Sequence, residues 1–191
     1  MKKYELTSNF KVCSGKKIFQ IRALVNLKNG VKVGELGGWI EKEENLSHIG
    51  DAWVSDNACV TDNAWVTGDA WVSDNACVSG NAHVAGDAHV FDNAWVSGNA
   101  WVTGKAWVTG KAHVAGNAWV SKIADLLQIT GLGTAHRTTT VYRTKNGIEI
   151  TCGCFCGNLE QFREQVVKTR EGKVRDEYLK FAELIEIYFR L

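Results

Sequence analysis

The sequence predicts a mainly β protein in which short parallel strands stack as the coils of a β-helix, and three observations support this. Between Asp51 and Lys122 one six-residue phrase is repeated twelve times without an insertion. Alanine stands at the second place and valine at the fourth place of every repeat. The chain contains no proline, which suits paired strands because nearly every residue must donate its backbone N–H. Such a six-residue period is typical of β-helices in which three repeats make one coil.

Alternation along each short strand decides which side chains face the interior. The columns from Ala52 to Val120 point inward, and the residue between each alanine and valine points outward. The places between strands hold mostly Ser or Thr, then Gly or Asp, then Asn, Asp or Lys, which favour tight corners. This pattern resembles the left-handed β-helix, which implies a triangular prism. Both ends of such a prism expose unpaired strand edges, so we expect a cap at each end.

Residues 1–36 are predicted to form the amino-terminal β cap. Short strands are expected at 4–7, 10–13 and 17–24, separated by turn residues such as Ser14-Gly15.

Residues 37–132 are assigned to the left-handed β-helix, with its regular repeats at 51–122. The order small, outward, aliphatic already appears at Gly38-Trp39-Ile40, and Leu46 follows out of register, which indicates a small insertion. The small and aliphatic columns persist beyond Lys122 at Ala124, Leu126, Thr130 and Leu132. We therefore expect a degraded coil to close the prism.

Residues 133–191 are predicted to form a small carboxyl-terminal α+β domain. Strands at 138–143 and 148–152 flank the turn Lys145-Asn146-Gly147, which is a strong hairpin signal. A helix is expected to start at Asn158, with Gln161 three residues on as the partner in a capping box. A second helix is expected at about 174–189, with Tyr178, Phe181, Ile185 and Phe189 on one stripe.

Two parts of the chain carry a resemblance to a known family. The first is VGELGGWI at 33–40 followed by NLS at 45–47 and GDAWV at 50–54, and the second is YRTKNGI at 142–148 with CGCF at 152–155. Over most of its length the chain resembles hexapeptide-repeat proteins of bacteria and phages, which are often labelled acetyltransferases or polymer-forming proteins. These labels rest on the fold, and a fold does not establish a function.

The third place of each repeat points outward, and a spacing of eighteen residues sorts these places into three faces. The first face carries Trp53, Trp71, His89 and Trp107. The second carries Cys59, Cys77, Trp95 and His113, and the third carries Trp65, His83, Trp101 and Trp119. Seven outward tryptophans, each with about 150–250 Å² to bury, exceed the apolar patch that a monomer usually exposes. We expect neighbouring prisms, the carboxyl-terminal helices or a ligand to cover them.

Corner residues distinguish the first face from the third. The first face lies between two aspartate ladders, formed by Asp51, Asp69 and Asp87 on one edge and by Asp56, Asp74 and Asp92 on the other. It is a candidate surface for a ligand or a basic partner, although aspartate also suits a turn in its own right. The third face lies between asparagines and glycines. Because it is neutral and aromatic, it is the predicted subunit interface of a homo-oligomer, with a trimer favoured.

The complete set predicted to bind a ligand or partner also includes basic residues of the last coil, which suit an anion such as a nucleotide phosphate. It comprises Trp53, Trp71, His89, Trp107, Asp56, Asp74, Asp92, Lys105, Lys111 and His113. The predicted interface comprises Trp65, His83, Trp101 and Trp119.

Two kinds of chemistry are alternatives to simple binding. An acyltransferase of this fold would bind coenzyme A between prisms and use His83, His89 or His113 as a general base. Each of these histidines stands in the outward column, where a role in ladder packing is the alternative, and no loop interrupts residues 51–122 to shape an acceptor site.

The cysteines raise the question of a metal. Cys152, Cys154 and Cys156 alternate, which would place them on one side of a strand, but zinc sites prefer two-residue gaps between paired cysteines. No cofactor is predicted. Cys59 and Cys77 lie one coil apart, near enough for a disulfide, which reducing surroundings would oppose.

Composition limits the classes of partner. The formal net charge is +1, so no basic surface favours nucleic acid or an anionic membrane. No signal peptide or membrane-spanning run is evident, and a cytoplasmic location is expected, in the host if a phage encodes the protein. We expect a non-enzymatic, oligomeric binding protein that blocks a host defence protein or sequesters a nucleotide signal. A coenzyme A-dependent acetyltransferase and a structural polymer-forming protein are the alternatives.

Overall fold

The computed structural model describes residues 2–191 as a mainly β chain, a parallel β-solenoid of about five turns with a small carboxyl-terminal helical region. This confirms the predicted β-helical class. After the amino-terminal strands β1 (Tyr4–Cys13), β2 (Lys16–Ala23) and β3 (Leu36–Ile40), the repeats form twelve short strands. These are β4 (Trp53–Val54), β5 (Cys59–Val60), β6 (Trp65–Val66), β7 (Trp71–Val72), β8 (Cys77–Val78), β9 (His83–Val84), β10 (His89–Val90), β11 (Trp95–Val96), β12 (Trp101–Lys105), β13 (Trp107–Val108), β14 (His113–Val114) and β15 (Trp119–Lys122).

Strands eighteen residues apart pair in parallel and build three sheets. The first sheet has the order β13-β10-β7-β4, and the third has the order β15-β12-β9-β6. The second sheet runs β3-β5-β8-β11-β14 and is extended at β3 by β2 and β1. The register places Trp53 beside Trp71 and Trp65 beside His83, as the eighteen-residue spacing predicts.

The interior of the solenoid is filled by the two constant columns of the repeat. Every second-place alanine, from Ala52 to Ala118, and every fourth-place valine, from Val54 to Val120, is buried in one continuous core. At the corners, the sixth residue of each repeat from Asp56 to Gly116 has a positive φ, between 55° and 70°. Aspartate and glycine fill this place because both tolerate the left-handed backbone region.

The amino-terminal segment covers the lower end of the solenoid. β1 and β2 form an antiparallel hairpin, so the two short strands expected at 4–7 and 10–13 are one strand with an irregularity between Leu6 and Phe10. The Tyr4 hydroxyl donates to the carbonyl oxygens of Glu43 and Leu46, at 2.7 and 2.8 Å. The Lys3 ammonium donates to the Ala52 carbonyl oxygen at 2.7 Å. The bonds to Leu46 and Ala52 satisfy carbonyl groups that the end of the solenoid would otherwise leave open.

The upper end differs from the expected degraded coil. After Lys122 a short 3₁₀ turn at Ile123–Asp125 leads into strand β16 (Leu126–Leu132), which pairs antiparallel with β17 (Arg137–Thr144). The expectation of a further parallel coil over these residues is therefore wrong. The Asp125 carboxylate accepts the Ser121 backbone N–H at 2.9 Å and its hydroxyl at 2.8 Å. This fixes the point where the parallel winding ends.

The sheet β16–β17 continues through β18 (Gly147–Cys152) to β19 (Phe155–Gly157) and closes the top of the solenoid. The hairpin of β17 and β18 around Asn146 confirms the predicted turn. Tyr142 inserts its ring into the solenoid core, where it is fully buried. The Thr151 hydroxyl donates to the His113 carbonyl oxygen at 2.8 Å, which joins this sheet to the last coil.

Two helices pack on the carboxyl-terminal sheet. Helix α1 (Leu159–Thr169) has Asn158 as its N-cap, and the Asn158 and Gln161 side chains each accept the other residue's backbone N–H at 2.9 Å, as predicted. Helix α2 (Gly172–Phe189) buries the predicted stripe from Tyr178 to Phe189 in a second hydrophobic core. Within residues 2–191 no helix is long and apolar enough to cross a lipid bilayer.

Candidate functional site

The third sheet carries an aromatic ladder on its outer surface, which we define as Trp65, His83, Trp101 and Trp119. Neighbouring strands hold these residues in direct register. Trp65 stacks on His83 with ring centroids 5.0 Å apart, and Trp101 stacks on Trp119 at 5.5 Å with an angle of 14° between the ring planes. Trp65, Trp101 and Trp119 remain 46%, 41% and 37% exposed. The ladder is therefore an ordered apolar surface that is partly exposed.

His83 is enclosed within this ladder. Its ring stacks on Trp65 and meets the edge of Trp101 at a centroid distance of 4.6 Å. Both ring nitrogens are buried and have no hydrogen-bond partner among residues 2–191. Burial lowers the pKa of His83 below its usual value, so the neutral imidazole is favoured. This environment suits aromatic packing better than proton transfer.

Amide side chains follow one edge of the ladder. The Asn63 side chain donates to Asn81 at 3.3 Å, and Asn81 donates to Asn99 at 3.1 Å. The opposite edge contains Gly68, Gly86 and Gly104, all with positive φ. The asparagine and glycine edges predicted for this face are therefore present.

The carboxyl-terminal unit turns the upper part of the ladder into a cavity of about 530 Å³, which we call the ladder cavity. One wall is formed by Trp101 and Trp119, together with Asn99 and Asn117. The other wall comes from the β17–β18 hairpin and the start of α1, and consists of Thr144, Lys145, Asn146, Ile148, Glu149, Gly157, Asn158 and Gln161. The Lys145 ammonium lies 5.0 Å from the centre of the Trp119 ring, within the range of a cation–π contact.

The residues of the second wall are absent from the sites predicted by the sequence. Lys145, Asn146 and Asn158 were interpretable there only as turn and cap residues. They reach Trp119 because the carboxyl-terminal sheet folds back on the last coil, where Thr144 forms an isolated bridge with Ala118. A hairpin signal reports local geometry and gives no information on which surface the hairpin will face.

The first face is less open than predicted, because Trp53, which was expected to bind a ligand, is buried. Its side chain is fully buried against the amino-terminal cap, in the same core as Tyr4 and Ile21. A Cβ atom at Gly37 would meet the Trp53 ring at 2.7 Å, so the close packing requires glycine at that position. Trp53 therefore cannot bind an external ligand in this structure.

The remaining aromatic residues of this face form a looser column. Trp71 is half-buried and packs against the core, whereas Trp107 is 48% exposed. The Trp107 ring contacts His89 at a centroid distance of 5.6 Å and Phe91 at 5.7 Å. His89 is thus held in an aromatic contact.

The aspartates that flank the first face form the corners of the solenoid and bond to neighbouring residues. Asp56, Asp74 and Asp92 all have positive φ, as corner residues of the solenoid. The Asp74 carboxylate accepts the Asp92 backbone N–H at 3.3 Å, and the Asp92 carboxylate accepts the Gly110 N–H at 2.9 Å. The Thr109 hydroxyl also donates to Asp92. The predicted acidic ladder is present, but the carboxylates of Asp74 and Asp92 bind backbone groups of the next coil, whereas that of Asp56 accepts the neighbouring Ser55 hydroxyl at 2.9 Å.

The basic residues of the last coils do not assemble with the ladder cavity. Lys105 lies beside Lys122 in the register of β12 and β15, and Lys111 is exposed. The His113 ring meets Trp95 edge-on at 5.9 Å, and its backbone N–H donates to the Thr140 hydroxyl at 3.2 Å. Burial lowers the pKa of His113 below its usual value. His113 therefore anchors the carboxyl-terminal sheet as well as extending the second face.

The three carboxyl-terminal cysteines do not converge, which corrects the expectation that they share one side of a strand. A turn separates β18, which ends at Cys152, from β19, which begins at Phe155. Cys156 pairs with Thr151 in the register, so Cys152 and Cys156 point to opposite sides of the sheet. No group of three or more His, Cys, Asp or Glu side chains within residues 2–191 is arranged to hold a metal ion.

Thiols instead gather on the second face, where Cys59 lies between two others. Its sulfur is 3.1 Å from that of Cys77 and 3.7 Å from that of Cys13 in the amino-terminal hairpin. All three are free thiols. The spacing of Cys59 and Cys77 predicted from the repeat is thus observed, without a disulfide.

Comparisons with known proteins give no assignment. No protein-family model matches the sequence, and no curated protein matches it at a significant level.

Proposed function

We propose that this chain is a non-enzymatic, self-associating binding protein that holds a small nucleotide in the ladder cavity. The observation that carries the proposal is the pair of nearly parallel indoles at Trp101 and Trp119, whose partly exposed rings form one wall of that cavity. Stacking of a base on an aromatic side chain contributes about 1–3 kcal/mol and tolerates many bases, because every base has a flat π face.

Several of the other lining groups suit the remaining parts of a nucleotide, while the Glu149 carboxylate in the same wall would repel a phosphate placed beside it. Asn99, Asn117, Asn146 and Gln161 present amide groups, which both donate and accept hydrogen bonds and can therefore read the edge of a base. Lys145 supplies a positive charge for a phosphate next to the stacking surface. The volume of about 530 Å³ lies within the range of small-molecule sites.

The biological setting follows from the resemblance to phage-borne hexapeptide-repeat proteins. We propose that a phage encodes the protein, that it acts in the host cytoplasm, and that its ligand is a nucleotide signal of host defence. The same exposed faces offer a second route, in which the protein blocks a host defence protein directly. The left-handed, triangular form implied by the resemblance would present the lower part of the aromatic ladder, Trp65 and His83, to neighbouring subunits in a trimer.

Packing contacts support binding over the two alternatives. A general base needs a group that orients it, and the enclosed nitrogens of His83 have no such partner among residues 2–191. An end-to-end polymer needs open strand edges, whereas the amino-terminal hairpin and the carboxyl-terminal sheet cover the two ends.

Isothermal titration with cyclic dinucleotides, cyclic trinucleotides and cyclic ADP-ribose variants tests the proposal. We expect at least one of them to bind and to quench tryptophan fluorescence. Trp119→Ala should weaken that binding about tenfold or more, because it removes a stacking surface. Trp107→Ala is the matched control, since Trp107 has similar exposure on the first sheet, and it should bind normally. Absence of binding by every nucleotide at millimolar concentration would refute the proposal.

A further inference from the structure

A second cavity, of about 350 Å³, lies within the carboxyl-terminal unit between the β18–β19 turn and the helices. We call it the arginine cavity. The lining residues that matter below are Arg137, Cys152, Phe155, Phe162, Arg170 and Tyr178. It shares no lining residue with the ladder cavity, so what it binds is independent of the function proposed above.

Aromatic rings form the apolar side of the arginine cavity. The Phe155 and Phe162 rings lie 5.5 Å apart, and Phe162 meets the edge of Tyr178 at 6.0 Å. Phe162 and Tyr178 are buried in the second hydrophobic core, and the Tyr178 hydroxyl donates to the Leu132 carbonyl oxygen at 3.3 Å. These rings are therefore held in place before any ligand arrives, which reduces the entropy lost on binding.

Two arginines supply the polar side. Arg137 comes from β17 and lies against the turn at Gly153, where φ is +61° and a Cβ atom would meet the guanidinium. Arg170 is the C-cap residue of α1. Their positive charges act on the Tyr178 hydroxyl and oppose the rise in its pKa that burial causes. Both arginines thus line the cavity that contains the Tyr178 ring.

Neither guanidinium is neutralised within residues 2–191. Arg22, Arg143 and Arg163 each have a carboxylate within 4.0 Å, and Arg137 and Arg170 have none. No acidic side chain lines the arginine cavity. The one hydrogen bond of the Arg170 side chain goes to the Thr169 carbonyl oxygen at 3.3 Å and leaves most of its donors free. Two unpaired guanidinium groups that line one cavity create a field that favours an anion.

We propose that the arginine cavity binds a phosphate monoester attached to a flat, apolar body. Planar guanidinium groups match the oxygens of a phosphate through paired hydrogen bonds, and two of them can hold a dianion. The aromatic wall formed by Phe155, Phe162 and Tyr178 then accepts the flat body. The volume is near the lower limit of known ligand sites, which restricts the ligand to the size of a mononucleotide or less.

Titration of the full-length protein with phenyl phosphate, inorganic phosphate and phenol at low ionic strength tests this site. We expect phenyl phosphate to bind at least tenfold more tightly than either fragment, because only it uses both sides of the cavity. Arg137→Gln and Arg170→Gln should each weaken its binding about tenfold, in line with the loss of a charge-assisted hydrogen bond. Lys168→Gln is the matched control on the same helix, outside the cavity lining, and should leave the affinity unchanged.

Circular dichroism of each variant shows whether the fold is intact, and Arg170→Lys gives a second test. Lysine keeps the charge but loses the planar fork, so intermediate affinity is expected. Undetectable binding of phenyl phosphate, or equal binding by the Arg137→Gln/Arg170→Gln double variant, would overturn the proposal. Equal affinities for phenyl phosphate and inorganic phosphate would also overturn it, because the aromatic wall would then contribute nothing.

Discussion

The corner residue of each repeat shows how a single position sets both backbone geometry and coil stacking. Asp62, Asp74 and Asp92 adopt positive φ, and each carboxylate accepts a backbone N–H from the residue eighteen positions later in the chain. Glycine meets the first requirement but has no carboxylate for the second. The sequence alone could identify these aspartates as turn residues, but their bonds to the next coil depend on side-chain direction, which repeat spacing does not determine.

Asp92 should make the stability of the protein sensitive to acid. The Thr109 hydroxyl and the Gly110 N–H hold the pKa of this carboxyl below its usual range. The folded state therefore favours the carboxylate, and its contribution is complete above the unfolded pKa of about 3.9 and lost as the pH falls through the lower folded value. We expect Asp92→Asn to lose less stability than the wild type between pH 6 and pH 2.5. Urea midpoints at both pH values measure this, and equal losses in the two proteins would contradict it.

At the scale of elements, the amino-terminal hairpin decides which outward residues stay exposed. The repeat places Trp53 and Trp107 in equivalent positions of the first sheet, yet Trp53 is fully buried and Trp107 is 48% exposed. The sequence predicted a cap over 1–36 and the direction of each side chain. It could not predict that the cap folds over Trp53, because this contact joins segments without a shared pattern.

Comparison of Trp53→Ala with Trp107→Ala measures what the cap contributes. Removal of a fully buried tryptophan leaves a cavity and should lower the free energy of unfolding by about 3–5 kcal/mol. The same change at the exposed Trp107 should cost less than about 1 kcal/mol. Urea denaturation of both variants at neutral pH gives the two values. Similar losses at both positions would show that the hairpin does not pack over the first coil.

At the upper end of the solenoid, the residue pattern could not predict how the strand after Lys122 pairs. Ala124, Leu126, Thr130 and Leu132 keep the order of small and aliphatic residues, and this alternation suits a parallel coil and an antiparallel strand equally well. In the structure this segment is an antiparallel strand, because β16 pairs with β17. The Asp125 carboxylate accepts the Ser121 backbone N–H where the parallel coils end. The hairpin and both helices were predictable because their signals are local: the Asn-Gly turn, the capping box of α1 and the apolar stripe of α2.

In the whole molecule, the two ends are covered and the sides carry the exposed apolar surface. Both cavities depend on contacts between segments distant in sequence, such as Trp119 with Lys145 and Arg137 with Gly153. The repeat was therefore enough to sort the outward residues into faces. It could not predict which carboxyl-terminal residues would complete the ladder cavity and the arginine cavity. What remains uncovered along the third sheet is the aromatic ladder, whose lower part, Trp65 and His83, lies outside the lining of the ladder cavity.

This lower part of the ladder is where we expect subunits to meet. Trp65 is 46% exposed between Asn63 and Gly68, and a flat aromatic ring loses little solvation free energy when a second copy covers it. Light scattering should give the wild type a mass near three chains of 21.1 kDa. Trp65→Lys should yield monomers, because an unpaired charge buried at an interface costs several kcal/mol. Trp95→Lys, at a tryptophan of 47% exposure on the second sheet, should keep the wild-type mass. A monomeric wild type, or dissociation by Trp95→Lys alone, would place the interface elsewhere or remove it.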